Sequence, residues 1–196
     1  MLKIIVILVV GLAVPLFFVL IYLSSAFNRL VTQRHRYKNA YSQIDLQLKR
    51  RYDLIPNLVE TAKDYLKHER GTLEAVMAAR NSAASANARA AKNPGEATAM
   101  KELITTETAL TRSLGKLMAL TNASPDWKAN QTAAGLMEEL ASTDSKVALA
   151  RQAYNETVRA YDTTRKTFPT RLIAGLFNFG PAELCLIDQA QEIDVP

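Results

Sequence analysis

The chain has 196 residues, with 24 Lys and Arg against 19 Asp and Glu, a net charge of +5, and only seven Gly, seven Pro and one Cys. This balance excludes a disulfide scaffold and a many-turned β fold, and it favours helix. A charge of +5 is modest for a nucleic-acid binder, so the placement of the charges matters more than their sum.

The first element is apolar. From Ile4 to Asn28 no residue is charged, and Ile4 to Leu23 is almost wholly aliphatic or aromatic. Some twenty such residues span about 30 Å as a helix, the thickness of a bilayer's hydrocarbon core. Pro15 is compatible with a spanning helix. A cleaved signal peptide is the rival reading, with Ser24-Ser25-Ala26 as a loose cleavage site, but the apolar run exceeds a usual signal core and only Lys3 precedes it. The expectation is an uncleaved transmembrane anchor over residues 1–27. Arg29, Arg34, Arg36 and Lys38 follow directly. That bias predicts the N-terminus outside and the bulk of the chain in the cytoplasm, with these four side chains as candidate contacts to lipid headgroups.

Beyond Asn28 no strand pattern stands out, and three apolar seams recur at helical spacing. The first runs Leu30, Tyr37, Tyr41, Ile44, Leu48, Ile55, Leu58, Ala62, Leu66; the second Leu103, Leu110, Leu114, Leu117; the third Leu136, Leu140, Val147, Tyr154, Val158, Tyr161. These are packing stripes for a bundle or coiled coil. In the stretch QIDLQLKRRYDLIPNLVE, Gln43 to Glu60, the first seam is crossed by Lys49-Arg50-Arg51 and by Pro56. The seam continues past Pro56, which predicts a kink rather than a break. Nucleic-acid binding would require the cations on one face with base-reading partners. The simpler reading is a solvated face, with one member reaching a carboxylate across the bundle.

Asn93-Pro94-Gly95 and Ser124-Pro125-Asp126 are turn sequences, the second placing Pro near a first helical position. A weaker break falls at His68 to Thr72, with Gly71 terminating one helix and Thr72 capping the next; otherwise that helix continues to Asn93. With the break, the helices after the anchor have roughly 43, 20, 27 and 42 residues and rise and fall by about 64, 30, 40 and 63 Å, so the path nearly closes. The expected fold is all-α: an N-terminal transmembrane helix, an antiparallel four-helix bundle over 28–168, and a short amphipathic segment and extended tail over 169–196. Phe168-Pro169 ends the last long helix. In the tail, Leu172, Ile173, Leu176, Phe177 and Phe179 form a cluster that the bundle's flank, another subunit or the lipid interface would cover. Arg171 is its only cation, and Glu183, Asp188, Glu192 and Asp194 follow. Those acids favour packing on protein beside the basic first helix over strong binding to anionic lipid.

The search for chemistry finds no constellation. His68-Glu69 opens like the zinc motif H-E-x-x-H, but Thr72 stands where the second His belongs. His35 reads as an ordinary surface residue, and Cys185 as a small buried side chain. Neither phosphate-loop nor dinucleotide fingerprints occur. Asn122, Asn130 and Asn155 begin glycosylation-type triplets, a motif short enough to recur by chance. No catalytic, metal or cofactor site, small-molecule substrate or nucleic-acid partner is expected.

Asn28-Arg29-Leu30-Val31 followed by SQIDLQLKRRYDLIPNLVE resembles the signature of the LemA family of membrane-anchored bacterial proteins. The likeness extends through HERGTLEAVMAAR from His68, PDWKAN from Pro125, ARQAYNETVRAY from Ala150 and FPTRLIAGLFNF from Phe168. It departs at Asn178, where the family commonly has Gly, and near Leu184-Cys185, where aromatic residues are common. The resemblance implies a helical bundle on a single membrane helix in a bacterial inner membrane, with a short N-terminus outside the cytoplasm and no established enzymatic activity. The expected function is thus a non-enzymatic scaffold, held by membrane lipids, that assembles as a homo-oligomer or docks a membrane-protein partner. The alternative is an accessory subunit of a membrane protease or transporter.

Overall fold

The computed structural model describes residues 2–186, and the side chains from residue 11 onward except that of residue 19. Asp188, Glu192 and Asp194 therefore lie outside the described residues. The elements are α1 (Leu2–Lys63), α2 (Arg70–Lys92), α3 (Ala97–Asn122), α4 (Pro125–Ala129), α5 (Gln131–Lys166) and α6 (Thr170–Leu176), with no strand among the described residues.

The apolar run and the first seam as far as Ala62 belong to one uninterrupted helix of 62 residues, about 93 Å long. Its first part is long and apolar enough to cross a membrane. There Leu12, Phe17, Phe18 and Leu20 are all more than half exposed. From Ala26 onward the same helix carries a buried stripe. Every expected seam residue is buried except Leu136, which is half-buried. Covering that stripe supplies the core, at about 25 cal/mol for each Å² of apolar surface removed from water.

Pro56 lies inside α1 without ending it. Proline has no N–H, so the carbonyl four residues earlier, that of Tyr52, loses its helical donor. Arg80 of α2 replaces it, donating from Nε to the Tyr52 oxygen at 2.9 Å. A neighbouring helix thus satisfies the group that the proline orphans.

The break between α1 and α2 falls at residues 64–69, earlier than Gly71 and Thr72, which sit in the first turn of α2. Gly71 does not adopt positive φ, so it does not act as a left-handed terminator. The chain turns because the amides of Tyr65 and Leu66 both bond back to the Ala62 carbonyl, at 3.1 and 2.9 Å. Leu66 then docks in the core and the Tyr65 ring packs edge-on against Trp127. Thr72 does not cap the backbone; Glu69 takes the N-cap position without a side-chain bond.

The expected turn at Asn93–Glu96 is present. Gly95 has φ +85°, and a Cβ there would stand 3.0 Å from Ala182 Cβ and 3.1 Å from Tyr37 Cε2. Glycine is required for both reasons. Glu96 caps α3, accepting from the amides of Thr98 and Ala99; these bonds, against a small opposing burial effect, hold its carboxyl below the ordinary value. The last helix does not start at Pro125. Pro125 opens the five-residue α4, with Ser124 as its cap. Asn130 is extended, caps α5 through Ala133 N, and donates to Tyr65 Oη at 2.7 Å. That double role separates the two helices.

The most extensive helix contacts are between α1 and α5, α2 and α3, and α1 and α2. Contacts along α1 fall in order: Phe27 with Phe177 and Phe179, Tyr37 with Tyr161 and Tyr154, Arg51 with Asp144. The partners' numbers fall as those on α1 rise. The buried face of α2 begins with Leu73 and Val76, and its second half is mostly alanine, at Ala83, Ala86 and Ala90, which lets its neighbours come near.

Candidate functional site

Polar side chains that bond between helices meet α1 in two places. In the first, Arg51 occupies the seam between Leu48 and Ile55 and is 6% exposed. Its Nη1 donates to Glu107 Oε2 at 2.9 Å and its Nη2 to Thr111 Oγ1 at 3.2 Å, both on α3. Nε stands 3.0 Å from Asp144 Oδ1 on α5, an ion pair too far off line to be a hydrogen bond. Tyr52 Oη donates to Glu107 Oε1. Arg51 therefore joins three helices, as the reading of one cation reaching across the bundle anticipated. Lys49 and Arg50 are exposed, with Lys49 paired to Asp45 at 2.8 Å.

Burial pushes the Glu107 carboxyl up, against the opposing pull of Arg51 and the Tyr52 hydroxyl. The Asp144 carboxyl is raised by the same cause, also against Arg51. Burial, then the nearby Glu107 charge, raises Tyr52 above the usual phenol value. In the second place, Tyr41 Oη donates to Asn87 Oδ1 at 2.9 Å, and Asn87 Nδ2 donates to Asp45 Oδ1 at 2.7 Å. These groups bond one another between helices. Glu107 is fully buried, so no substrate meets it in this state.

The stretch of α1 that follows the uncovered apolar run carries the four candidate headgroup residues. Arg29, Arg34 and Arg36 are exposed and Lys38 is half-buried. At 100° per residue, Arg29 and Arg36 share one side of the helix while Arg34 and Lys38 share nearly the opposite one. They ring the helix and do not form a single basic face. Arg34 stands beside Tyr37 and Tyr161.

Against this end lie α6 and the tail. Ile173, Ala174 and Phe179 are buried, whereas Phe168, Leu172, Leu176 and Phe177 are exposed. Packing on the first helix, expected of the whole cluster, is thus the position of one side of it. Beyond α6 the chain forms an extended strap. Tyr161 Oη donates to the Gly180 carbonyl and Tyr154 Oη to that of Glu183, each at 2.8 Å. Asn155 grips Cys185 at both backbone groups, and the Glu183 amide reaches Gly95 O at 2.9 Å. Cys185 is buried as expected, and burial pushes its thiol up to about 11 against the opposing Arg151. His35 and His68 are exposed, and among the described residues no three His, Cys, Asp or Glu side chains gather as a metal site would require.

The arrangement defines a helical protein whose buried polar groups tie helices together and whose first helix projects an uncovered apolar end. The LemA family profile matches residues 40–196, most of the chain. The chain belongs to the LemA family. No curated protein matches it.

Proposed function

We propose that this LemA-family chain is a membrane-anchored, non-enzymatic helical scaffold. In this reading the apolar end of α1 spans a bacterial inner membrane with the N-terminus outside. The remainder forms a cytoplasmic antiparallel four-helix bundle of upper α1, α2, α3 and α5. It assembles with copies of itself or docks another membrane protein, and it uses no cofactor, nucleic acid or small-molecule substrate. Membrane lipids hold it, with Arg29, Arg34, Arg36 and Lys38 at the headgroups.

The observation that carries the reading is the division of α1. Residues such as Leu12, Phe17 and Phe18 have no protein cover, while Leu30, Ile44, Leu48 and Ile55 on the same rod are fully buried. A side chain left that apolar in water would favour association or lipid. The groups with perturbed acidity support a structural role, because Glu107 and Tyr52 bond each other, and Glu107 bonds Arg51, rather than facing a cleft. Crosslinking in native membranes tests the proposal. A ladder of one subunit supports self-assembly and a defined heterologous adduct supports docking. A lone monomer under conditions that crosslink a known membrane dimer would defeat the scaffold.

A further inference from the structure

The chain turns back on itself where α5 gives way to α6, and a cleft of about 540 Å³ opens there. Arg165, Lys166 and Arg171 line it, together with Ala174, Gly175 and Phe179. Asp162 serves two of these cations at once: Arg165 Nε lies 3.1 Å from one of its oxygens and Lys166 Nζ 2.6 Å from the other. Among the described residues Arg171 has no carboxylate within 4.0 Å. The cleft therefore carries net positive charge, and Arg34 of α1 adds to it from beside Tyr161. On the same short helix and directly after it, Leu172, Leu176 and Phe177 are 67, 79 and 56% exposed.

Position decides what such a surface fits. The rings of Phe177 and Phe179 lie 5.0 and 5.7 Å from that of Phe27, which is four residues, about 6 Å, beyond the end of the uncovered apolar run at Leu23. Cations beside outward apolar side chains at the level where a spanning helix leaves the bilayer match a phosphate with acyl chains beneath it. A soluble anion would leave the exposed apolar side chains of α6 unexplained.

We infer that the cleft between α5 and α6 binds the headgroup of an anionic phospholipid, with Leu172, Leu176 and Phe177 entering the acyl boundary. The inference rests on the reading of α1 as the anchor. It makes the membrane surface a second attachment point, fixing how the body stands on its anchor.

The test uses the full chain reconstituted in phosphatidylcholine vesicles containing a minority of phosphatidylglycerol. Tryptophan is introduced as Leu176→Trp, and separately as Phe17→Trp, and quenching by spin-labelled versions of each lipid is measured. Trp127, about 57 Å further along by helical rise, supplies an unquenched background. Labelled phosphatidylglycerol should quench Leu176→Trp several-fold more than labelled phosphatidylcholine. Adding Arg171→Gln, a change at an exposed side chain, should reduce that preference by about fivefold. Quenching of Phe17→Trp without quenching of Leu176→Trp would overturn the headgroup site while leaving the anchor standing. Equal quenching by both lipids, indifferent to Arg171→Gln, would overturn it too. Inorganic phosphate that erased the preference at matched ionic strength would assign the cleft to free phosphate instead. An unquenched Phe17→Trp would remove the anchor reading itself.

Discussion

Replacing Arg51 by Ala removes the cation that α3 and α5 share. Glu107, fully buried, would keep only the Tyr52 hydroxyl, and Asp144 would face it with no charge between them. Breaking a buried pair from one side costs about 3–5 kcal/mol, because the remaining charge is unpaired in a poor solvent. That is a large share of the ~5–15 kcal/mol that holds a domain together. Glu107 would respond by taking a proton, which limits the loss and makes it pH-dependent. Even in the intact protein, burial raises the Glu107 carboxyl above its ordinary 4.5. The folded state then holds that proton more tightly than the unfolded chain. This contribution is fully present below pH 4.5 and is lost as pH rises through the folded value. Denaturant unfolding of the full chain in mild detergent, followed by Trp127 emission, reads both effects. Arg51→Ala should shift the midpoint far down at neutral pH and much less in acid, and adding Glu107→Gln should restore part of the loss. A change below ~0.5 kcal/mol at neutral pH, the size expected of a surface substitution, would refute the buried ion pair as the tie between helices.

Arg80→Ala should cost about 1–2 kcal/mol by orphaning the Tyr52 carbonyl, and markedly less in a Pro56→Ala background, where an amide returns to that oxygen; equal costs in both backgrounds would deny the coupling. Asn178 has φ +53°, so Asn178→Gly should be neutral or stabilising and Asn178→Val should lower the melting temperature; tolerance of valine would contradict the left-handed backbone. Cys185 should resist a maleimide at neutral pH in the native protein and react once denaturant is added, since it is buried with its thiol raised to about 11. Asn155→Ala, which frees both backbone groups of Cys185, should speed that labelling in the native state, and an unchanged rate would mean the strap is held elsewhere. Leu48→Asp or Val147→Asp should abolish cooperative melting, while Lys49→Ala and Arg50→Ala should stay within ~0.5 kcal/mol.

The helices were legible because their seams are long-range repeats of large apolar side chains. Leu30 through Leu66 and Leu103 through Leu117 need no tertiary knowledge to be read as buried. The buried face of α2 was not, because Ala83, Ala86 and Ala90 carry little hydrophobic signal and matter for the space they leave. The α1–α2 break was misplaced by six or so residues for a related reason. Gly71 and Thr72 are strong local punctuation, but Leu66 reaching the core and Tyr65 reaching Trp127 decide the turn. Glu107 had a visible signature, four residues after Leu103 and three before Leu110 on the seam. An acid there requires a cation on a facing seam, and Arg51, between Leu48 and Ile55, is one. An extended tail was legible but its attachment was not, since Tyr154, Asn155 and Tyr161 hold backbone groups that no side-chain pattern encodes. Asn178 shows the reverse case, since asparagine is one of the few residues other than Gly that readily accept positive φ.

In the proposed reading α1 is one rod with its lower part in the bilayer and its upper part in a cytoplasmic body. Two C-terminal fusions after Pro196, expressed in bacterial cells, test it directly: a fluorescent protein that matures only in the cytoplasm, and a phosphatase active only after export. Four cations within fifteen residues after the apolar run, against Lys3 and the α-amino group before it, set the direction. The fluorescent fusion should glow in the membrane fraction and the phosphatase should stay silent. Phosphatase activity with a dark fluorescent fusion, or fluorescence that remains soluble after the membranes are removed, would contradict it.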